Sequence, residues 1–270
     1  MHWLVLLLAL SHYRIVSAAP SITEILFALG AGDQVVGDTA YCNYPEAAKR
    51  KPKIGGYATP NIELILALNP DLVFVNDSRP NVVEALRQTR RIEVISLHPD
   101  SVYDIYQSIQ TIAVKLGIPD RGERLVQSID NEIHQTTDSS NRTPKPKVLF
   151  VVGRTPGTVA GLVVVGQGSY LSEVIDLAGG INVAADAGVQ YPRFSFEEVI
   201  HRDPDIILDM GHDHIVTESE KRAVKGLWQR YSFLRAVRHD AVFPISGEYF
   251  VTPGPRVGEA VRELRRIFSR

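Results

Sequence analysis

Five tyrosines fall in segments where a parallel α/β fold would carry its ligand-binding loops: Tyr41, Tyr44, Tyr57, Tyr191 and Tyr249. Each offers a flat apolar face and one polar tip, which suits a large amphipathic ligand held by contact. About three of the five are expected to line a cleft, the others closing the cores beneath. His212 and His214 alternate beside Asp209 and Asp213. Alternating histidines can share a metal when further ligands join them. No third histidine is identifiable, so this reads as a solvated loop, and neither metal nor cofactor is expected. A two-lobed metal-dependent enzyme using that pair is the alternative. Cys42 is the only cysteine, which excludes an internal disulfide, and no Cys-His pattern accompanies it. The chain has no P-loop, G-x-G-x-x-G turn, G-x-S-x-G elbow or H-E-x-x-H helix, which argues against an enzyme.

Two carboxylates stand out through repetition. Residues 61–75 and 195–209 align without a gap, matching Glu63 with Glu197 and Pro70-Asp71 with Pro204-Asp205. Each copy opens on a good N-cap, Asn61 or Ser195, and continues as a short amphipathic helix. A proline then stops the helix, and an apolar run follows that suits a strand buried on both faces. Near a helix start each glutamate adds about 0.3–1 kcal/mol of stabilisation. Duplication also gives each half an exposed carboxylate that could pair with arginines of a pseudo-symmetric partner. A weaker echo relates residues 23–30 to 172–179, with strands expected before each at 14–18 and 148–152. Each half therefore reads as strand, helix, strand, helix, strand, the pattern of a parallel α/β layer.

The fold class expected is α/β: two Rossmann-like lobes with parallel sheets joined by a long backbone helix. The expected layout is a short signal segment at 1–11, an N-terminal lobe at 12–118, a connecting helix at 119–140 and a C-terminal lobe at 141–270. The apolar run at 3–10 is too short to span a bilayer and resembles the core of an export signal. The formal net charge of -2 over 270 residues implies no basic surface for nucleic acid.

The order Arg14 to Glu24, Val36-Gly37, Tyr41 to Pro45, Gly55-Gly56, Asn61-Ile62-Glu63 and Asn69-Pro70-Asp71 resembles the helical-backbone (class III) periplasmic binding proteins of ABC importers. The cobalamin-binding members are the most similar, through Tyr41 to Pro45, Tyr191-Pro192 and Ser246 to Arg256. The resemblance implies a periplasmic or otherwise exported monomer that captures cobalamin, a corrinoid, in an interlobe cleft and makes no covalent change to it. It implies cleft positions at Tyr44, Tyr57, Tyr191, Glu248 and Thr252, beside Tyr41 and Tyr249 from the tyrosine pattern. It also implies that Glu63 and Glu197 dock onto arginines of the transmembrane permease. Tyr57 and Tyr191 stand where tryptophans are usual, and Thr252 where a basic residue is expected. Haem is the competing ligand: in haem binders a tyrosine near Tyr57 can ligate iron, often beside an arginine, and no arginine adjoins Tyr57 in sequence. A ferric siderophore would draw on Arg79, Arg154 and Arg193.

Overall fold

The computed structural model describes residues 12–89, 91–98, 100–134, 144–211 and 217–270. The signal segment at 1–11 and the pair His212 and His214 lie outside the described residues. The chain forms two compact units, one of residues up to 98 with 103–129, the other of 100–102 with 130–270.

In the first unit the strands are β1 (Ile15–Ser17), β2 (Val35–Asp38), β3 (Leu72–Asn76) and β4 (Glu93–Leu97). They pair in parallel in the order β2-β1-β3-β4. The connections are helical: α1 (Pro20–Ala28), α2 (Ile62–Ala67) and α3 (Pro80–Arg87), with α4 (Val102–Lys115) after the last strand. Every residue of β1 and β3 is buried, as their continuous apolar runs require in a sheet covered on both faces. Val16, Val73, Val75, Ile65 and Leu86 pack together as one core. The chain moves outward from β1 to β2 and then crosses to the other side at β3. The carboxyl ends of β1 and β3 are therefore the topological switch point, where open α/β sheets bind ligands.

The connecting helix α5 spans Pro119–His134, and the boundary between units falls within it, at Ile129 and Asp130. The remainder of the segment expected to continue it is not among the described residues.

The second unit repeats the plan with additions. Its strands are β5 (Lys147–Gly153), β6 (Leu162–Val164), β7 (Ile181–Asn182), β8 (Arg193–Phe194), β9 (Ile206–Asp209) and β10 (Val242–Pro244). Its helices are α6 (Tyr170–Leu177), α7 (Phe196–Arg202), α8 (Glu218–Gln229), α9 (Arg235–Arg238) and α10 (Val257–Phe268). The sheet runs β10-β9-β5-β6-β8, with β7 also on β5. This sheet is mixed, whereas a purely parallel one was expected. β6 is antiparallel to both β5 and β8. The connection after β5 turns back through Gly157 and Gly161, both with positive φ, and is too short for a parallel crossover. Among the described residues no helix is long and apolar enough to cross a membrane.

The internal repeat persists down to single hydrogen bonds. Asn61 caps α2 by accepting from Leu64 N–H at 3.0 Å, and Ser195 caps α7 by accepting from Glu198 N–H at 3.3 Å. Asn69 (φ 46°) and Asp203 (φ 39°) take the left-handed conformation just before Pro70 and Pro204. The next residue in each copy, Asp71 or Asp205, forms a reciprocal clamp. The Asp71 carboxylate accepts from Arg14 N–H at 2.8 Å, while Asp71 N–H donates to Arg14 C=O at 2.9 Å. The Asp205 carboxylate accepts from Lys147 N–H at 2.8 Å, and Asp205 N–H donates to Lys147 C=O at 2.8 Å. Both clamps fix where the central strand of a unit begins. Asp71→Ala is expected to cost about 1 kcal/mol in urea unfolding, and Asp71→Asn much less, because an amide oxygen still accepts the bond. Equal losses for the two variants would show that charge, not the hydrogen bond, carries the effect.

Candidate binding surface

The loop that follows β2 carries Tyr41 and Tyr44, both exposed, with Tyr41 at 62%. A buried ion pair holds this loop to the strand. The Asp38 side chain is fully buried, and its Oδ1 accepts from Lys53 Nζ at 2.7 Å. The same ammonium donates to Ala48 C=O at 3.1 Å and Cys42 C=O at 3.4 Å, so one cation gathers the strand end and both ends of the loop. Asp38 Oδ2 is buried without a hydrogen-bond partner. Burial pushes the Asp38 carboxyl up to about 6, although Lys53 pulls the other way. Behind the loop, Cys42 Sγ lies 3.2 Å from both Thr23 and Thr39 hydroxyls, and Thr23 donates to Ser17 at 2.7 Å. Burial raises the Cys42 thiol, which keeps it protonated and inert.

Tyr57 is half-buried, between Gly55-Gly56 and the start of α2. The guanidinium of Arg79 stacks over its ring at 4.8 Å. Arg79 lies 22 positions further along the chain, in the turn that follows β3, and its Nε is buried without an acceptor. Tyr57 thus has an arginine against it after all; the sheet brings together two loops that sequence adjacency keeps apart.

In the second unit Tyr191 is exposed on the segment before β8. Glu248 and Tyr249 lie in a short 3-10 turn after β10, and Thr252 follows as a buried residue. The Tyr249 hydroxyl is tied to the Glu263 carboxylate on α10, and its ring packs against Phe250 with centroids 4.9 Å apart. Burial, together with Glu263, pushes this phenol far above the usual range, so it serves as a neutral donor. Tyr249 therefore braces the turn that carries Glu248. At the carboxyl ends of β5 and β9, Arg154 Nε donates to both Asp209 oxygens at 3.1 and 3.3 Å. Trp228 Nε1 and Gly211 N–H each add a bond of 2.7 Å to the same carboxylate. Arg154 is thus committed to a buried lock, which removes one of the three arginines a ferric siderophore would use.

Glu63 and Glu197 are both exposed in the first turns of α2 and α7. Hydrogen bonds from its own backbone N–H and from Ser195 hold Glu197 below the usual carboxylate range. Among the described residues no group of three or more His, Cys, Asp or Glu could hold a metal ion.

The family model described as periplasmic binding protein matches residues 15–249. The chain belongs to the periplasmic binding protein family. Such proteins bind and release a ligand, and the chain is a binding protein and not an enzyme. This binding protein is 28% identical over 253 residues to the vitamin B12-binding protein of Vibrio cholerae serotype O1, covering 93% of this chain and 87% of that one. It is also 28% identical to an ABC transporter substrate-binding lipoprotein of Bacillus subtilis, covering 93% and 78%. Among solved structures, the periplasmic heme-binding protein RhuT from Roseiflexus sp. RS-1 in its apo form superposes with a TM-score of 0.80 at 32% identity, covering 95% and 97%.

Sequence reasoning pointed to the tyrosines as candidates but missed three partnerships around them: Asp38 with Lys53, Arg79 with Tyr57, and Tyr249 with Glu263. The one signal for the first was a lone aspartate ending an apolar strand. The Asp38 carboxyl also makes a pH prediction. Its folded value lies above the unfolded 3.8, so it favours the fold fully at low pH and loses that contribution as pH rises through about 6. From about pH 7 to about pH 5, the wild type is expected to gain thermal stability relative to Asp38→Asn. Parallel curves for the two proteins would contradict the raised value.

Proposed function

We propose that this protein captures cobalamin and delivers it to the transmembrane permease of an ABC importer, working outside the cytoplasmic membrane as an exported monomer. The observation that carries the reading is the set of exposed tyrosines: Tyr41 and Tyr44 on the loop beyond the carboxyl end of β2, and Tyr191 on the segment before β8. Exposed aromatic faces are costly to leave in water and bury well against a broad corrin surface. The similarity to the vitamin B12-binding protein of Vibrio cholerae supports the same ligand. Glu248 supplies a polar contact at the rim of the second unit, Tyr249 holds that rim, and Thr252 packs beneath it. Glu63 and Glu197 pair with permease arginines, in line with the similarity to an ABC transporter substrate-binding lipoprotein. No resident cofactor or metal is part of this reading.

Haem is the second reading, favoured by the Arg79 guanidinium over Tyr57 and by the similarity to a heme-binding protein. A tyrosinate beside a cation could ligate ferric iron, and the Arg79 Nε that lacks an acceptor could meet a propionate. One substitution separates the two readings. Tyr57→Phe keeps the ring that a corrin would contact but removes the oxygen that iron would need.

Calorimetric titration with cyanocobalamin and haemin is the test. Cyanocobalamin is expected to bind at micromolar concentration or below, with Tyr41→Ala and Tyr191→Ala each weakening it about tenfold and Tyr57→Phe changing it little. Haemin binding that is lost in Tyr57→Phe, with no cyanocobalamin binding, would replace the first reading with the second. The double variant Glu63→Ala, Glu197→Ala is expected to abolish uptake and leave ligand affinity unchanged; a loss of affinity would contradict the docking role.

A further inference from the structure

Equivalent positions in the two repeat copies share more than the glutamates. Ile65 and Val199, two residues after Glu63 and Glu197, are both fully buried. Leu66 and Ile200, one residue further, are exposed by 39% and 42%. Three residues apart on a helix means neighbouring on its surface, so each glutamate has an exposed aliphatic side chain beside it. A single exposed leucine needs no explanation. The same exposed aliphatic position kept in both copies, where the exposed Leu64 of one is Glu198 in the other, is harder to dismiss. In the second unit the apolar surface extends further. Phe196, immediately before Glu197, contacts Tyr231 with ring centroids 4.2 Å apart and meets Phe233 edge-on at 6.4 Å. Phe233 is itself 53% exposed.

We infer that Leu66 and Ile200, with Phe233 against Phe196 in the second unit, form the apolar part of the surface that docks onto the permease. This rests on the reading that Glu63 and Glu197 meet permease arginines, and in each unit it extends the docking surface from the carboxylate to the aliphatic side chain beside it. The occupant is a pair of equivalent extracytoplasmic permease loops, each offering a basic side chain to the glutamate and an aliphatic one to the residue a turn away. Two like surfaces on one chain call for a partner with two like surfaces. An ion pair exposed to water contributes little by itself, whereas apolar neighbours that exclude water strengthen it. Affinity for the permease therefore depends on these side chains as well as on the charges.

The test uses the full ligand-loaded protein and proteoliposomes carrying the permease–ATPase complex that takes up ligand with the wild type. The readout is the concentration of binding protein that half-saturates ATPase stimulation. Leu66→Asn and Ile200→Asn are each expected to raise it about fivefold, and Phe233→Ser similarly, with ligand affinity unchanged. Val114→Asn, on α4, removes another exposed aliphatic (66%) and is expected to change nothing. The inference is overturned if Val114→Asn shifts the curve as much, or if the three variants leave it in place while Glu63→Ala shifts it. If Glu63→Ala and Glu197→Ala leave it in place as well, the docking reading itself falls. Wild-type protein that floats with protein-free liposomes or sediments as a dimer, in either case only while Leu66 and Ile200 are intact, would assign the surface to lipid or to a second copy and also overturn the inference.

Discussion

A carboxylate placed just after a proline decides where each sheet begins. Asp71 and Asp205 each exchange two hydrogen bonds with the first residues of a central strand, Arg14 and Lys147. The preceding left-handed residue, Asn69 or Asp203, turns the chain so that the aspartate arrives at that strand. With the start of β1 pinned to the start of β3, and β5 to β9, the register of each pair is set: Ser17 lies opposite Phe74, and Val151 opposite Asp209. Arg79, which stacks on Tyr57, follows the carboxyl end of β3, and Arg154 and Asp209 meet at the carboxyl ends of β5 and β9. The same junction sets the direction of α2 and α7, and with them Glu63 and Glu197. The strand register and the exposed glutamate of each unit thus both depend on one short segment, used twice.

Binding without chemistry asks for rims that hold their shape. The polar groups around the rims are largely spent on one another. Lys53 neutralises Asp38 and staples the Tyr41 loop; Arg154 and Trp228 saturate Asp209; Glu263 holds Tyr249. A buried charge pair seldom adds net stability over an apolar pair, but losing one partner is costly, so such locks specify a single arrangement. The Cys42 thiol is kept neutral between the Thr23 and Thr39 hydroxyls. Exposed aromatic faces remain on these segments at Tyr41, Tyr44 and Tyr191, and Arg79 stacks on the half-buried Tyr57.

Much of this was legible in the sequence because it is local. The repeat at 61–75 and 195–209 displayed its caps, its prolines and its buried strands through residue type alone, and the structure keeps all of them in register. The long connecting helix was visible through its periodicity. Contacts between distant segments were not legible. Nothing near Tyr57 announced Arg79, which arrives because β3 ends beside the loop after β2. Nothing near Asp38 marked Lys53 as its partner rather than as one of a basic run. The antiparallel β6 and β8 escaped notice because short strands on a glycine-rich stretch carry little periodic signal. Thr252 read as a cleft position and is buried, since burial in a turn depends on what packs over it.

The central claim is that the tyrosine rims hold a corrinoid. The most direct measurement is the visible absorbance spectrum of the full-length protein purified from cells supplied with cobalamin, haem and iron. A corrinoid spectrum carried in stoichiometric amount, lost on Tyr41→Ala combined with Tyr191→Ala, is the result this account predicts. A haem or ferric-siderophore spectrum in its place, unchanged by that double substitution, would contradict it.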